Sequence, residues 1–336
     1  MRGLLSRRLT GALILFTTCL LLGYIATRVY FFVHIFMSHS GVALTQEEVE
    51  LAHNRTTPDP RPQVIPKLIH QIFHNWADPT NDTLPSDWEA GRQTCITLNP
   101  GWDYKLWTTT TSRAFIAAEY PWFLPTYDGF TYPVQRIDAL RYFLMLHDGG
   151  IYLDLDNGCA TSLEPLLYYP AWVTDGGKGA LSNNILGAAP GHPFWRLLTD
   201  SMIGYAWHYP LPYLAVSYGT GQWFETAVWE EYHRRKPAAE PPLTRVMMDM
   251  DPAAARWVFF THGRGGTWNQ WDNGLFKWIG DHVVLMLLYV GLVLGGIWGL
   301  GFLALKLARR LWRIRRGYRR LDRGKPDRPD EEMELR

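Results

Sequence analysis

Two long uncharged apolar runs bracket the chain, and they constrain its fold more than any other feature. Residues 9–27 and 283–305 form runs of nineteen and twenty-three residues without a charge. A helix of the second length spans about 35 Å, enough to cross the roughly 30 Å hydrocarbon core of a bilayer. We predict a transmembrane signal anchor over 9–37 and a second transmembrane helix over 283–305. A cleaved signal peptide is the alternative for the first run, but no small-residue cleavage site follows it.

The charges that flank the two runs predict their orientation. Residues 1–8 carry three arginines and no acid, and residues 306–336 carry twelve basic and six acidic residues. Positive loops stay in the cytosol, so we predict a cytosolic N-terminus (1–8), a basic cytosolic tail (306–336) and a lumenal middle. Apart from Arg28, the residues between these ends include 17 basic and 26 acidic residues, a net charge of −9. This balance argues against a nucleic-acid-binding protein.

Residues 38–64 are polar and contain prolines, and we interpret them as a lumenal stalk before a catalytic domain over 65–280. Apolar strand candidates at 67–73, 102–107 and 151–156 alternate with helices that start near Ser86 and Pro133. Alternation of this kind predicts an α/β sheet covered by helices on both faces. Cys95 and Cys159 both fall in this domain; whether they pair stays open.

Two acidic residues follow the last of these apolar strands. Asp154 and Asp156 are two residues apart in IYLDLD, so their side chains share a face. Adjacent carboxylates repel each other, and a divalent cation with oxygen ligands relieves that repulsion. A chance pair in a surface turn is the alternative. Upstream, Asp138 and Arg141 are three residues apart on one helix face. They form either a local ion pair or a contact for sugar hydroxyls and phosphate.

These motifs lie within longer segments that resemble a known family. The segments IPKLIHQIFHNW, RIDALRYFLMLHDGGIYLDLD, SNNILGAAPGHPF and GTGQWF occur in this order between residues 65 and 270. They resemble the fungal inositol-phosphoceramide mannosyltransferases, the catalytic subunits of mannosyl inositol phosphorylceramide synthase. The resemblance implies a GT-A-like nucleotide-sugar-binding domain, with a mixed and mainly parallel sheet, between two transmembrane helices in the Golgi membrane. It further implies transfer of mannose from GDP-mannose to inositol phosphorylceramide, with Mn²⁺ and retention at the anomeric carbon, and a regulatory multi-pass membrane subunit as partner.

The resemblance also implies roles for individual residues. It assigns the metal to Asp154, Asp156, His262 and Asn269; the donor to His70, Gln71, Asp138, Arg141, Gly219, Thr220, Gly221 and Trp268; and the reacting sugar to Asn183. For His70, a hydrogen-bonded core histidine is an equal alternative. Relatives usually carry histidine where this chain has Asn269. The third metal ligand therefore stays open among His262, Thr267 and water.

Three other functions remain as alternatives. A Golgi α-mannosyltransferase that acts on N-glycans shares the two acids but usually lacks a second span. A catalytically inactive membrane subunit is compatible with the change at Asn269, and a two-carboxylate glycosidase is the most distant alternative. A lipid acceptor is favoured because spans at both ends hold the domain beside lipid headgroups. The aromatic segments 120–133 and 268–278 are candidates for contact with that surface. No side chain stands out as a base, which is compatible with a front-face attack in which the leaving phosphate takes the proton.

Overall fold

In a computed structural model of the chain, the described residues are 2–37, 39–53, 60–177, 179–248, 257–263, 265 and 271–322. The helices are α1 (Arg2–His34), α2 (Gln46–His53), α3 (Ser86–Leu98), α4 (Thr109–Glu119), α5 (Leu124–Gly129), α6 (Pro133–His147), α7 (Pro193–Tyr205), α8 (Pro212–Ser217), α9 (Gln222–Arg235), α10 (Asn273–Asp281) and α11 (Val283–Asp322), with a 3₁₀ helix at Glu164–Tyr168. The strands are β1 (Val42–Thr45), β2 (Leu68–Ile72), β3 (Asp103–Trp107), β4 (Gly150–Leu153), β5 (Asn157–Cys159), β6 (Ala171–Asp175), β7 (Ser182–Ala188), β8 (Thr244–Met247) and β9 (Phe260–His262). The chain divides into two compact units, Met1–Gln270 and Trp271–Arg336.

Seven strands of the first unit form one sheet in the order β1-β8-β6-β7-β4-β2-β3. Strand β7 runs antiparallel to its neighbours β4 and β6, and all other adjacent strands are parallel. Strands β5 and β9 form a separate antiparallel pair. The sheet is therefore mixed and mainly parallel.

Alternating side chains of the central strands enter two separate hydrophobic clusters. On β4, Ile151 and Leu153 pack in a cluster with residues of α2, α3 and the 3₁₀ helix. Tyr152, between them, packs with residues of α6, α7 and α9. Since successive strand residues point to opposite faces, helices cover both faces of the sheet. The predicted α/β class and this arrangement of helices are confirmed.

Residues 39–53 of the segment interpreted as a stalk are part of the folded domain. Strand β1 pairs with β8 at the sheet edge, with Val42 opposite Thr244. In the following helix, Val49 is 1% exposed, and Oε1 of buried Gln46 accepts hydrogen bonds from the backbone N–H groups of residues 258 and 259. The stalk prediction for 38–64 is therefore corrected. It failed because a four-residue edge strand is hard to recognise in a polar segment. The prediction had relied on average polarity rather than on the apolar residues within it.

Two helices are long and apolar enough to cross a membrane. The apolar stretches are Leu15–His34 in α1 and Val283–Trp312 in α11, with mean hydropathies of 1.5 and 2.3. Neither stretch is buried within the protein. Helix α11 continues beyond the predicted end at residue 305 to Asp322. Membrane association fits these helices, while their orientation and the organelle remain predictions.

Candidate active site

A glycine pair directs the chain from helix α6 into strand β4 and so to the two acids. Gly149 and Gly150 have φ values of +66° and +87°, a region that disfavours other residues. A Cβ at Gly150 would lie 2.5 Å from the carbonyl oxygen of Leu68. The pair therefore allows β4 to pack closely beside β2. Strand β4 then leads directly to Asp154.

The guanidinium of Arg141 joins helix α6 to the end of β4. Its Nη2 lies 3.2 Å from Oδ1 of Asp138 and 3.2 Å from Oδ1 of Asp154. Its Nη1 donates to the carbonyl oxygen of Asn183 at 2.6 Å, and its Cζ lies 4.8 Å from the centre of the Tyr152 ring. Arg141 is 3% exposed. One buried cation thus holds two carboxylates, and the predicted spacing of Asp138 and Arg141 corresponds to a real contact.

Asp138 is itself fixed by neutral donors. Thr220 Oγ1 donates to its Oδ2 at 2.9 Å, and Asn183 Nδ2 donates to its Oδ1 at 3.2 Å. Asn183 Nδ2 also contacts the Tyr142 hydroxyl at 3.0 Å. Burial raises the pKa of Asp138 to about 6, although Arg141 opposes the shift. We call Asp138, Arg141, Asn183, Thr220 and Asp154 the inner network.

Asp156 has a different environment. Its Oδ1 accepts a hydrogen bond from Asn157 Nδ2 at 2.8 Å. Its Oδ2 accepts no hydrogen bond from a described residue and faces Gly265, where a Cβ would lie only 2.1 Å away. Burial, followed by the neighbouring Asp154 charge, raises the pKa of Asp156 to about 6, while His262 lowers it. This carboxylate therefore has one oxygen available to a ligand.

The segment after Asp156 is fixed by a disulfide and a strand pair. Cys95 of α3 bonds to Cys159 at the end of β5. Strand β5 pairs with β9, which sets Asn157 opposite His262. The backbone N–H of Gly263 donates to the carbonyl oxygen of Asp156 at 2.6 Å. The pairing that the sequence left open is thus present, and it anchors the chain directly beyond the second acid.

A cavity of about 570 Å³ opens in front of the two acids. Its lining includes three charged side chains, Asp154, Asp156 and Arg141, which together with Gly265 we call its polar end. The other lining residues are mostly aromatic or apolar and include Phe73, His74, Trp76, Trp88, Val134 and Ile137, beside the polar Asn75 and Thr83. A lining that combines charged groups with aromatic rings suits a ligand with phosphates and a ring system.

The donor set fits a hard divalent cation that shares its coordination with a substrate. Among the described residues, no group of three or more His, Cys, Asp and Glu side chains converges as a cage. Two carboxylates nevertheless face one cavity, and Asp156 has an oxygen free of described hydrogen-bond donors. Ions of the Mg²⁺ and Mn²⁺ type are commonly held by one or two carboxylates together with substrate phosphates and water. The residues present match that mode rather than a closed protein site.

The structure brings most of the predicted site residues together. Thr220 joins the inner network, and a Cβ on Gly221 would lie 3.5 Å from Asp138 Oδ2. Gly219 packs instead against the carbonyl oxygen of Ala215. The predicted residues Trp268 and Asn269 lie outside the described residues.

His70 and Gln71 lie in the core of the sheet, away from the cavity wall. His70 is fully buried; its Nε2 bonds to the carbonyl oxygen of Gly149 at 3.0 Å, and its Nδ1 accepts from Trp107 Nε1 at 3.0 Å. Gln71 Oε1 accepts from the Tyr104 hydroxyl at 2.6 Å. For His70 the structure agrees with the core alternative and not with contact to a nucleotide.

Residues 73–76, which line the cavity, were missing from the predicted site. They directly follow β2 at its carboxyl end. Ligands of α/β sheets gather beyond the carboxyl ends of the strands. Applied to β2, this rule selects residues after Ile72 instead of His70 and Gln71 within the strand. The signal was therefore present in the sequence.

Comparisons with known proteins agree with this geometry. Residues 85–172 match the family described as "Glycosyltransferase sugar-binding region containing DXD motif". The chain is 38% identical over 244 residues to mannosyl phosphorylinositol ceramide synthase CSH1 of Saccharomyces cerevisiae, covering 72% of this chain and 63% of that protein. It is 38% identical over 228 residues to inositol phosphoceramide mannosyltransferase 2 of Schizosaccharomyces pombe, covering 67% and 64%.

The chain thus spans just under two thirds of the length of these relatives. Among solved structures, the PaToxG glycosyltransferase matches 55% of this chain and 75% of its own, with 15% identity and a TM-score of 0.40. The family match covers the inner network residues of α6 and both acids after β4. The predicted resemblance is confirmed: the chain carries the DXD-containing sugar-binding region of glycosyltransferases and is homologous to the fungal inositol phosphoceramide mannosyltransferases.

Proposed function

We propose that this protein transfers mannose from GDP-mannose to the inositol headgroup of inositol phosphorylceramide, with Mn²⁺, in the Golgi membrane and with its catalytic domain lumenal. The observation that carries the proposal is the shared cavity of Asp154, Asp156 and Arg141. It combines carboxylates for a cation with a fixed guanidinium for phosphate oxygens. The relatives, named as inositol phosphoceramide mannosyltransferases, support the choice of acceptor.

The polar end of the cavity suits a departing diphosphate. Asp156 and Asp154 would hold the Mn²⁺ together with substrate phosphates and water, since no third side chain joins them among the described residues; the bound ion supplies charge stabilisation to the leaving group. Arg141 adds a second positive contact, and its buried Nε has no hydrogen-bond partner among the described residues. An unpaired buried donor is costly unless a ligand uses it. Arg141 is therefore the residue best suited to bind a donor phosphate.

Asp138 and Asn183 act on the donor through Arg141. Both are buried, and their side chains hydrogen-bond within the inner network and, for Asn183, also to the Tyr142 hydroxyl. The carbonyl oxygen of Asn183 and the carboxylate of Asp138 fix two sides of the guanidinium. Preorganised charge of this kind needs no rearrangement when the leaving group gains negative charge. We assign both as positioning residues.

The aromatic lining of the cavity suits the nucleoside. Phe73 and Trp88 pack edge to face with ring centres 6.1 Å apart. Burial lowers the pKa of His74 to about 4, and its Nε2 bonds to Ser112 Oγ at 3.0 Å. His74 is thus neutral at physiological pH. Neutral aromatic surfaces stack on a base without a charge requirement.

The route of the acceptor hydroxyl proton follows from the roles given to the two carboxylates. Asp154 and Asp156 are the carboxylates among the described residues that line the cavity, and both serve the cation in this proposal. The acceptor hydroxyl therefore passes its proton to the leaving phosphate on the same face of the sugar. This front-face attack retains the anomeric configuration. A mannosyl adduct on either carboxylate would contradict it.

The test compares Asp156→Asn with a matched surface substitution, Asp128→Asn. Asp128 pairs with Arg113 at the surface, away from the cavity. Purified full-length protein receives labelled GDP-mannose and inositol phosphorylceramide, with and without Mn²⁺. We expect Asp156→Asn to lower mannose transfer by about 100-fold or more, as for loss of one electrostatic contact in a transition state. Asp128→Asn should match the unaltered protein.

Reactions with different acceptors distinguish this function from its alternatives. Parallel reactions offer a high-mannose N-glycan in place of the sphingolipid. Transfer to the glycan alone would overturn the lipid assignment. Equal transfer by the unaltered protein and Asp156→Asn would overturn the metal role. Complete absence of transfer and of GDP release, with folded protein and Mn²⁺ present, would favour an inactive subunit.

A further inference from the structure

A second, larger cavity lies between helix α1 and the catalytic domain. Its volume is about 1450 Å³. Residues 28–32 and 34 of α1, with Ile35 after it, form one wall. Ser40, the end of α7, Trp207, Tyr209, Tyr218 and one side of α9 form the rest. All of these belong to the first compact unit. This cavity shares no lining residue with the one that holds Asp154 and Asp156, and none of the residues assigned a role in the proposed reaction lines it.

Arg28 is the feature of this cavity that calls for a ligand. It is the sole Asp, Glu, Lys or Arg between Arg8 and Glu47 in the sequence, within the apolar stretch of α1. Its Nε donates to the Tyr24 hydroxyl at 3.1 Å, and no described carboxylate lies within ion-pair distance of it. Arg234 and Arg235 also line the cavity, but both pair with Glu231. Among the described residues, Arg28 is thus a cation without a carboxylate partner at a costly position.

The position of Arg28 corresponds to the depth of lipid phosphates. It lies six residues before the end of α1 at His34, or about 9 Å along a helix axis. Arginines near the end of a membrane helix extend toward the headgroup level. Trp207, which is 69% exposed, and Tyr209 line the same cavity. Tryptophan and tyrosine prefer the membrane interface, so the cavity opens where headgroups lie.

Aromatic packing fixes α1 to the domain beside this cavity. Phe32 and Phe36 pack edge to face against Trp223, with ring centres 5.4 and 5.2 Å apart. Ser40, just beyond the helix, donates through its backbone and side chain to Glu230 at 2.9 and 2.6 Å. The helix is therefore held against α9 and forms a permanent wall of the cavity.

A short segment connects this cavity to the inner network. Tyr218 lines the cavity, and Thr220, two residues later, donates to Asp138 at 2.9 Å. The Tyr205 ring packs against Phe224 at 4.9 Å, and Phe224 lies 6.1 Å from the Tyr142 ring. A lipid held by Arg28 would therefore lie close to the segment that carries Thr220, which hydrogen-bonds to Asp138.

We propose that this cavity binds the phosphodiester of the acceptor lipid, with Arg28 paired to its phosphate. The inference rests on the proposed function for the identity of the lipid. The tyrosine hydroxyls offer hydrogen bonds to a polyol headgroup, and the apolar surface of α1 faces the lipid tails. Binding at this depth would keep the headgroup phosphate near the bilayer while its hydroxyls face the catalytic domain.

Lipid binding to the purified full-length chain in detergent tests the proposal directly. Native mass spectrometry would follow titration with inositol phosphorylceramide, phosphatidylinositol, phosphatidylserine and ceramide. We expect Arg28→Gln to weaken binding of inositol phosphorylceramide about 10-fold, the usual worth of one charge-assisted hydrogen bond. Arg28→Lys should retain most of it. Arg113→Gln, which removes a surface cation outside the cavity, should leave it unchanged.

Kinetics supply a second measurement. Arg28→Gln should raise the KM for inositol phosphorylceramide about 10-fold and leave the KM for GDP-mannose unchanged. Thermal unfolding confirms that each variant is folded. If Arg28→Gln does not fold, the Arg28→Lys variant still supplies the test.

The outcomes distinguish this inference from the proposed function. Unchanged affinity and KM in Arg28→Gln, with normal transfer, would overturn the inference and leave the function intact. Arg28-dependent binding of the sphingolipid without any transfer would support the site and contradict the function. Equal Arg28-dependent binding of phosphatidylserine would overturn the acceptor assignment.

Discussion

The two acids that follow β4 lie two residues apart and differ in what surrounds them. Asp154 shares the Arg141 guanidinium with Asp138 and accepts a hydrogen bond from the Tyr152 hydroxyl. Asp156 has one described hydrogen bond, from its neighbour Asn157, and an open oxygen beside Gly265. The first acid belongs to the inner network, whereas the second lines the same cavity outside that network; we call Asp156 and Gly265 the mouth.

Within this one motif, one acid therefore contributes more to stability and the other more to ligand binding. Buried charges are tolerated when each has a partner, and the inner network supplies those partners within the protein. A carboxylate with an open oxygen suits a ligand instead. Substitutions in the inner network should therefore affect folding first, whereas substitutions at the mouth should affect metal and donor binding with little change in folding.

Arg141→Leu should have the largest effect on stability. The change leaves Asp138, whose side chain is 6% exposed, without its cation. Removal of one partner from a buried ion pair typically costs about 3–5 kcal/mol of unfolding free energy. Chemical denaturation of the purified protein would measure the loss. Arg113→Leu removes a surface pair with Asp128 and should leave the unfolding free energy nearly unchanged. Equal losses in the two variants would contradict the comparison.

Much of the site could be predicted because its key spacings are local. Asp138 and Arg141 lie on one turn of α6, and Asp154 follows a strand delimited by two glycines. Each inference needed only a few neighbouring residues. The partner residue Thr220 lies far along the chain, and it was assigned from the family resemblance rather than from spacing. Its contact with Asp138 depends on the sheet and its helices being assembled.

The errors share a different cause, since composition does not reveal tertiary contacts. The apolar residues of β1 were hidden in a polar segment, and their partner strand lies about 200 residues away. The aromatic segment 120–133 was expected at the membrane surface, yet Phe123, Tyr127 and Phe130 are at most 7% exposed and pack in the core. A ring that is buried and a ring that meets lipid have the same sequence signature. In the proposal for the second cavity, the exposed Trp207 and its aromatic neighbours meet the membrane interface instead.

Glu225→Gln should stabilise the protein next to the inner network. Glu225 is fully buried, and neither of its oxygens has a hydrogen-bond partner among the described residues. Burial raises its pKa to about 8, with Arg141 opposing the shift. The folded protein therefore keeps a proton that the unfolded chain releases above pH 4.5. Stability decreases as the pH rises from about 4.5 to 8, and then stays level.

Glutamine has no carboxyl proton to release, so Glu225→Gln should remove the loss of stability that accompanies rising pH. We expect similar unfolding free energies at pH 5 and a gain on the order of 1–4 kcal/mol for the variant at pH 8. Denaturation at both pH values measures the difference. Glu164→Gln, at a surface pair with Lys67, serves as the control and should show no such gain. A variant less stable than the unaltered protein at pH 8 would show that Glu225 is charged and paired in the folded state.

Gly265→Ala should have the smallest effect on folding and tests the mouth alone. Its Cβ would lie 2.1 Å from Oδ2 and 3.3 Å from Cγ of Asp156, so the carboxylate must turn away from its present position. Since Oδ2 is the oxygen left for a ligand, the Mn²⁺ concentration for half-maximal transfer should rise several-fold while the unfolding free energy stays nearly constant. Gly129→Ala, where a Cβ meets open space, is the matched control. If Gly265→Ala lowered stability and left Mn²⁺ dependence unchanged, the open oxygen of Asp156 would serve folding instead of the metal, and the distinction between the inner network and the mouth would not hold.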